Sequence, residues 1–138
     1  MRYKINHLAV WVLIVVQTGL GALWYSPLAF GVEWMGFLNL TESDIVQGNV
    51  VAILIAVAGT VLLTYFFAWL LLHLEVAYLS EAVKVGFLLW LCVVLTEHAT
   101  HYAFQGVHFG VLLIDMGKTL VGILISTIVL VSWRRRAS

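Results

Sequence analysis

Charge is what this sequence has least of. Aspartate, glutamate, lysine and arginine together make up 10% of its 138 residues, against about 25% in soluble domains. Apolar residues fill 63% of the chain, and the mean hydropathy is +1.06. A chain this short leaves much of its surface exposed on folding, so a water-soluble core is excluded and lipid is the solvent. Cysteine occurs once, as Cys92, which excludes an intrachain disulfide; with its apolar flanks it reads as a packing residue. Proline also occurs once, as Pro27, where it ends the first apolar run by restricting the residue before it. Arginine is missing from all the apolar runs. That argues against an enzyme gripping an anionic substrate inside the membrane, since arginine is the usual clamp for carboxylate and phosphate. No feature points to nucleic acid, and with no repeat, linker or low-complexity tract the chain reads as one domain, 1–138.

What is present is a set of long apolar runs. No formal charge lies between Lys4 and Glu33 or between Asp44 and Glu75. Each gap can hold the roughly 20 residues that span a ~30 Å hydrocarbon core. Spans are predicted over 5–24, 49–72, 81–104 and 111–133, with Thr41 and Asp44 marking a short lead-in turn before the second. Backbone groups in lipid must be satisfied within each segment, and the runs lack the alternation of barrel strands. The fold class is therefore all-α, an antiparallel bundle of four transmembrane helices. The opening Met1–Lys4 and the run after it read as a first span rather than a cleaved leader, because three more apolar runs follow.

Lysine and arginine set the expected orientation. Arg2, Lys4, Lys84 and Arg134–Arg136 all fall on one side, and the other side, with Glu33, Glu42, Asp44 and the 105–110 turn, has neither residue. Both termini are expected in the cytoplasm. Trp24, Trp34, Tyr102 and Trp133 fall near the interfaces, where aromatic belts form.

The exceptions are charges within the last two spans. Helical geometry puts Glu97 and Lys118 both about 6 Å outside the midplane, with His101 one turn beyond Glu97 and Asp115 at about 10 Å. An unpaired charge there costs about 2.5–3.5 kcal/mol on insertion scales. Pairing Glu97 with Lys118 and His101 with Asp115 would remove most of that cost. Gln17 in the first span lies at a similar depth, on a face with Gly21 and Trp24. The cluster Glu97, His101, Asp115, Lys118 and Gln17 reads either as a polar cavity or proton relay, or as buried pairs fixing helix register.

A metal site is the sharper variant, with Glu97, His98, His101 and Asp115 as ligands and His108 within reach; zinc suits such donors. The order E-H-x-x-H is not the metalloprotease H-E-x-x-H, so no cofactor is assigned. His7 and His73 read as interfacial histidines rather than an axial haem pair. Gly117-Lys118-Thr119 resembles the end of a phosphate-binding loop, but Leu112 stands where its first glycine belongs. Asn39-Leu40-Thr41 has the form of a sequon and little weight alone. Gly59, Thr60, Thr64, Gly122 and Ser126 read as helix-contact positions, and Arg134–Arg136 as contacts to anionic lipid.

The run Gly21-Ala22-Leu23-Trp24-Tyr25-Ser26-Pro27-Leu28-Ala29-Phe30-Gly31, followed by Trp34-Met35, resembles the G-x-L-W-Y-S-P-x-x-F-G-x-x-W hallmark of a bacterial membrane-protein family, domain of unknown function 1761. Leu113-Ile114-Asp115-x-Gly117 resembles the same family, while Glu97-His98 with His101, and Lys118, depart from it. The resemblance implies a bacterial inner-membrane protein and a role for Trp24, Tyr25, Ser26, Pro27, Phe30 and Trp34. These would form a rigid aromatic roof over the polar cluster, or an interfacial anchor. Three functions follow in order of preference: a small proton-linked carrier or conduit, an accessory subunit of a larger membrane complex, and a metal-dependent membrane enzyme. The partners expected are the lipid bilayer and either further copies of the chain or another membrane protein.

Overall fold

The computed structural model describes residues 3–41, 43–44 and 50–136. Asn49, the predicted start of the second span, lies outside them, as do Arg2 and Glu42. Among the described residues, four helices are long and apolar enough to cross a membrane: α1 (His7–Trp24), α3 (Val50–His73), α4 (Leu79–Gln105) and α5 (Phe109–Ser132). A fifth, α2 (Gly31–Leu38), follows the Tyr25–Phe30 turn. It is the one helix that hydropathy did not predict, because eight residues are too few to span.

Local chemistry sets the ends. Asn6 caps α1, its Oδ1 accepting from Ala9 N at 3.4 Å. The Glu81 carboxylate caps α4 by accepting from the Ala77 and Tyr78 N–H groups at 3.2 and 3.3 Å. Asn39 after α2 and Gly106 after α4 turn the chain with φ of 54° and 66°, the left-handed stop that helices use. Thr41 and Asp44 form the predicted turn: Thr41 N donates to Asp44 Oδ2 at 2.7 Å. Hydrogen bonds from the Thr41 hydroxyl and N–H hold the Asp44 carboxyl below the usual range.

Tyr3–Lys4 pair with Arg135–Arg136 in a two-residue antiparallel ladder. The Asn6 amide donates to Trp133 O at 3.0 Å, and the Arg134 guanidinium donates to Val76 O and covers the Tyr3 ring. The chain ends thus meet the α3–α4 connection at one end of the molecule. His7 there bonds the Tyr65 hydroxyl at 3.1 Å, and His73 stacks on Trp69. The core fills this end with Val10, Leu13 and Ile14 of α1, Phe67, Ala68 and Leu71 of α3, and Leu130 of α5.

Helix α5 is central and touches the other four, whereas α3 packs on α1 and α5 rather than along α4. The close approaches are made by Gly86, where a Cβ would lie 2.7 Å from Thr127 Cγ2, and by Gly122, where it would lie 2.6 Å from Gln17 Oε1. Gly122, Thr64 and Ser126 are contact residues as expected. Gly59 is not, because nothing lies within 4 Å of its Cβ position. Leu62, Val15 and Leu54 are more than half exposed, a distribution that suits lipid and not water.

Candidate functional site

Asp115, on the second turn of α5, accepts three hydrogen bonds. Tyr25 Oη and Trp34 Nε1 donate to its Oδ1 at 2.7 and 3.0 Å, and Tyr102 Oη donates to Oδ2 at 2.7 Å. One residue earlier, Trp24 Nε1 donates to Ile114 O at 3.0 Å, and its ring lies 3.2 Å from the Cβ position of Gly117. The Trp-Tyr-Ser-Pro run is built to make this reach. Ser26 Oγ donates to Leu23 O at 2.7 Å and its carbonyl accepts from Ala29 N and Gly31 N, folding the chain back at once after α1. A Cβ on Gly31 would come within 2.3 Å of Tyr25 O, so only glycine fits there. Trp24 meets the Phe30 ring at 4.8 Å, and Trp34 meets Tyr25 edge-on at 5.3 Å. Burial and, after it, the bond to Asp115 push the Tyr25 phenol well above its ordinary pKa, which keeps it a donor. Together these side chains clasp α1 and α2 onto the start of α5.

The expected pairs are not the ones found. His101 is exposed, and its Nε2 accepts from Gln105 Nε2 at 3.0 Å. Glu97 is exposed, and among the described residues it and Lys118 make no ion pair with each other or with any other group. The cause is a π-helical stretch in α4 from Trp90 to Leu95. A π turn takes one residue more than an α turn, which rotates everything after it by about 100° at 3.6 residues per turn. Uninterrupted α geometry from Trp90 would carry Glu97 and His101 inward. With the extra residue the inward positions become His98 and Tyr102. Trp90 anchors the start of the stretch, its Nε1 donating to Met116 O and Thr119 Oγ1 at 3.0 and 3.1 Å. Thr96 closes it by donating its hydroxyl to Cys92 O at 2.7 Å.

The rotated face borders a cavity of about 490 Å³ in the gap between α3 and α4. Apolar side chains form most of its wall, with Gln17, Thr60, Thr64, His98, Lys118 and Ser126 among them. Gln17 Nε2 donates to Gly122 O and Ser126 Oγ at 2.7 and 3.0 Å. His98 Nδ1 lies 2.9 Å from Val94 O. A carbonyl only accepts, so Nδ1 carries the proton and Nε2 is left without a partner among the described residues.

The family model described as "Protein of unknown function (DUF1761)" matches residues 8–131. The chain belongs to this family. No curated protein and no solved structure matches it. In this DUF1761 protein, Asp115, Gln17, Trp24, Tyr25 and Trp34 stand at the junctions of α5 with α1 and α2, and Lys118 with Gln17 on the cavity wall. Ser26, Pro27 and Phe30 shape the turn. His108 caps α5, its Nδ1 accepting from Gly110 N at 3.0 Å, and stacks on Phe37 at 4.3 Å. Among the described residues no three His, Cys, Asp or Glu side chains gather in one place; of the four named as metal ligands, Asp115 sits in the clasp, His98 on the cavity, and Glu97 and His101 on the outer face of α4. The residues that the sequence did not single out are Trp90 and Tyr102 as donors. Tyr102 was signalled only as an interfacial aromatic, and no local pattern marks the π stretch that turns it inward.

Proposed function

We propose that this protein is a small carrier of the bacterial inner membrane, which takes a largely apolar ligand from the bilayer into the cavity between α3 and α4. The lysine and arginine distribution supports an antiparallel bundle whose termini lie in the cytoplasm. The reading rests on one observation: the cavity wall carries polar groups, Lys118 and His98 Nε2, that have no partner among the described residues. Intramembrane ionisable groups facing a cavity mark ligand or ion paths. The volume, about 490 Å³, falls within the ~300–1,000 Å³ of small-molecule sites, and so does the mostly apolar lining with a few polar groups. His98 replaces His101 as the histidine that links transport to protons. Asp115, with both oxygens engaged, serves as a structural clasp and not as a relay.

Native mass spectrometry on protein purified in mild detergent tests this. The wild type should carry a stoichiometric amphiphile that Thr60→Trp, which fills the cavity, lacks at an unchanged unfolding temperature. A protein that is always bare, before and after reconstitution with membrane lipid extract, would sink the proposal.

A further inference from the structure

We infer that the cavity takes a single-chain amphiphile with one carboxylate head, seated on the Lys118 ammonium; the inference rests on the cavity reading above. Among the described residues, Lys118 is the sole formally charged side chain on the wall and has no hydrogen-bond or ion-pair partner. Its stem runs beside α1, with Cε 3.8 Å from the Cβ position of Gly21. A cation held in the membrane is costly unless something neutralises it, and no anion among the described residues pairs with this one.

The other polar groups on the wall offer little to a second negative charge. The Thr60, Thr64 and Thr119 hydroxyls donate to carbonyls of their own helices at 2.9, 2.7 and 3.0 Å, and the Gln17 amide is engaged on α5. One ammonium is left, with the His98 Nε2 and the Ser126 hydroxyl, which only accepts from Gln17, on the same wall. Phosphate recognition usually draws on the bidentate fork of arginine or on several donors at once. A lone ammonium matches a lone carboxylate. The rest of the wall, with Leu63, Phe67, Val93 and Ile123, suits a hydrocarbon chain. Since α3 does not pack along α4, that chain can enter sideways from the lipid.

Energy transfer from tryptophan to parinaric acid, with the protein in nanodiscs, tests this against the parinaric methyl ester, which has the same chain and no charge. The acid should bind at least tenfold more tightly than the ester. Lys118→Gln should erase that preference without weakening the ester, and Lys118→Arg should keep it. Equal affinity of acid and ester in the wild type would overturn the carboxylate assignment and leave the cavity reading standing. So would displacement of the acid by a lysophosphatidate that binds more tightly, which would assign the head to phosphate. Failure of Thr60→Trp to weaken either probe would overturn the cavity reading itself, and this inference with it.

An independent observation concerns the outer face of α4. Thr96, Glu97, Thr100 and His101 are all exposed on one stripe of a membrane span, and Glu97 has no partner among the described residues. Lipid cannot satisfy a carboxylate. We infer that this stripe packs on the same stripe of a second copy, Glu97 of each facing His101 of the other. A two-fold interface is self-complementary in this way, and hydroxyl side chains let membrane helices approach and bond. In a Cys92→Ala background, Thr100→Cys should cross-link into dimers in native membranes, while Val12→Cys on α1 should not. Adding Glu97→Leu should abolish the cross-link at unchanged expression. Cross-linking through Val12→Cys instead, or none at either site, would overturn the dimer.

Discussion

Asp115 and Lys118 lie three residues apart on α5 and have opposite surroundings. Asp115 is filled: two phenols and an indole reach it from α4, from the turn after α1 and from α2. Lys118 is open: it borders a cavity of about 490 Å³ and has no partner among the described residues. A polar group whose bonds are all made inside the protein holds the fold together. One whose bonds are left unmade in a low-dielectric setting is available to a ligand. Within the polar cluster that the sequence suggested, the comparison therefore sets a structural half, Asp115, apart from an open half, Lys118, with Glu97 and His101 outside both.

The strongest way to break that division is Asp115→Leu. It strands three donors, and each bond to a charged group contributes about 1.5–3 kcal/mol. We expect a loss of about 3–5 kcal/mol in denaturant unfolding, with Asp115→Asn less severe; an unfolding midpoint like that of the wild type would remove Asp115 from the structural half. Gly31→Ala comes next. The new Cβ would meet the Tyr25 and Ser26 backbone, and overpacking of this kind costs about 1–3 kcal/mol, visible in the same unfolding assay. Lys118→Gln should change stability by about 1 kcal/mol or less, because it breaks no bond, while ligand binding suffers. A destabilised Lys118→Gln protein would mean that the lysine has a structural partner after all.

The smallest effect is a pH dependence at the alkaline edge. The Tyr25 phenol is raised in the folded protein, whereas in the unfolded chain it ionises near its ordinary value of about 10. The unfolded state then holds fewer protons than the folded one above that pH. The clasp's contribution is fully present below about pH 10 and declines as pH rises beyond it. Tyr25→Phe should flatten that decline; a slope unchanged by the substitution would assign it to other groups.

Four candidate spans, with helix limits within two residues of those expected wherever the bounds are described, were legible in the sequence. Apolar length, caps and the Ser-Pro turn are properties of neighbouring residues, and lipid enforces them whatever the rest of the chain does. Tyr25 and Trp34 were legible only through the family motif, as a roof over the cluster or an interfacial anchor alike. The partners of Asp115 were not, because apolar length places a residue of α4 or α5 in depth and leaves its facing open. Depth survives a π turn almost unchanged, but facing does not. A single added residue between Trp90 and Leu95 exchanged Glu97 and His101 for His98 and Tyr102 on the inner face. That exchange was decided by the tertiary fit of Trp90 against Met116 and Thr119, because the α and π ladders satisfy the same backbone groups and only packing against α5 distinguishes them.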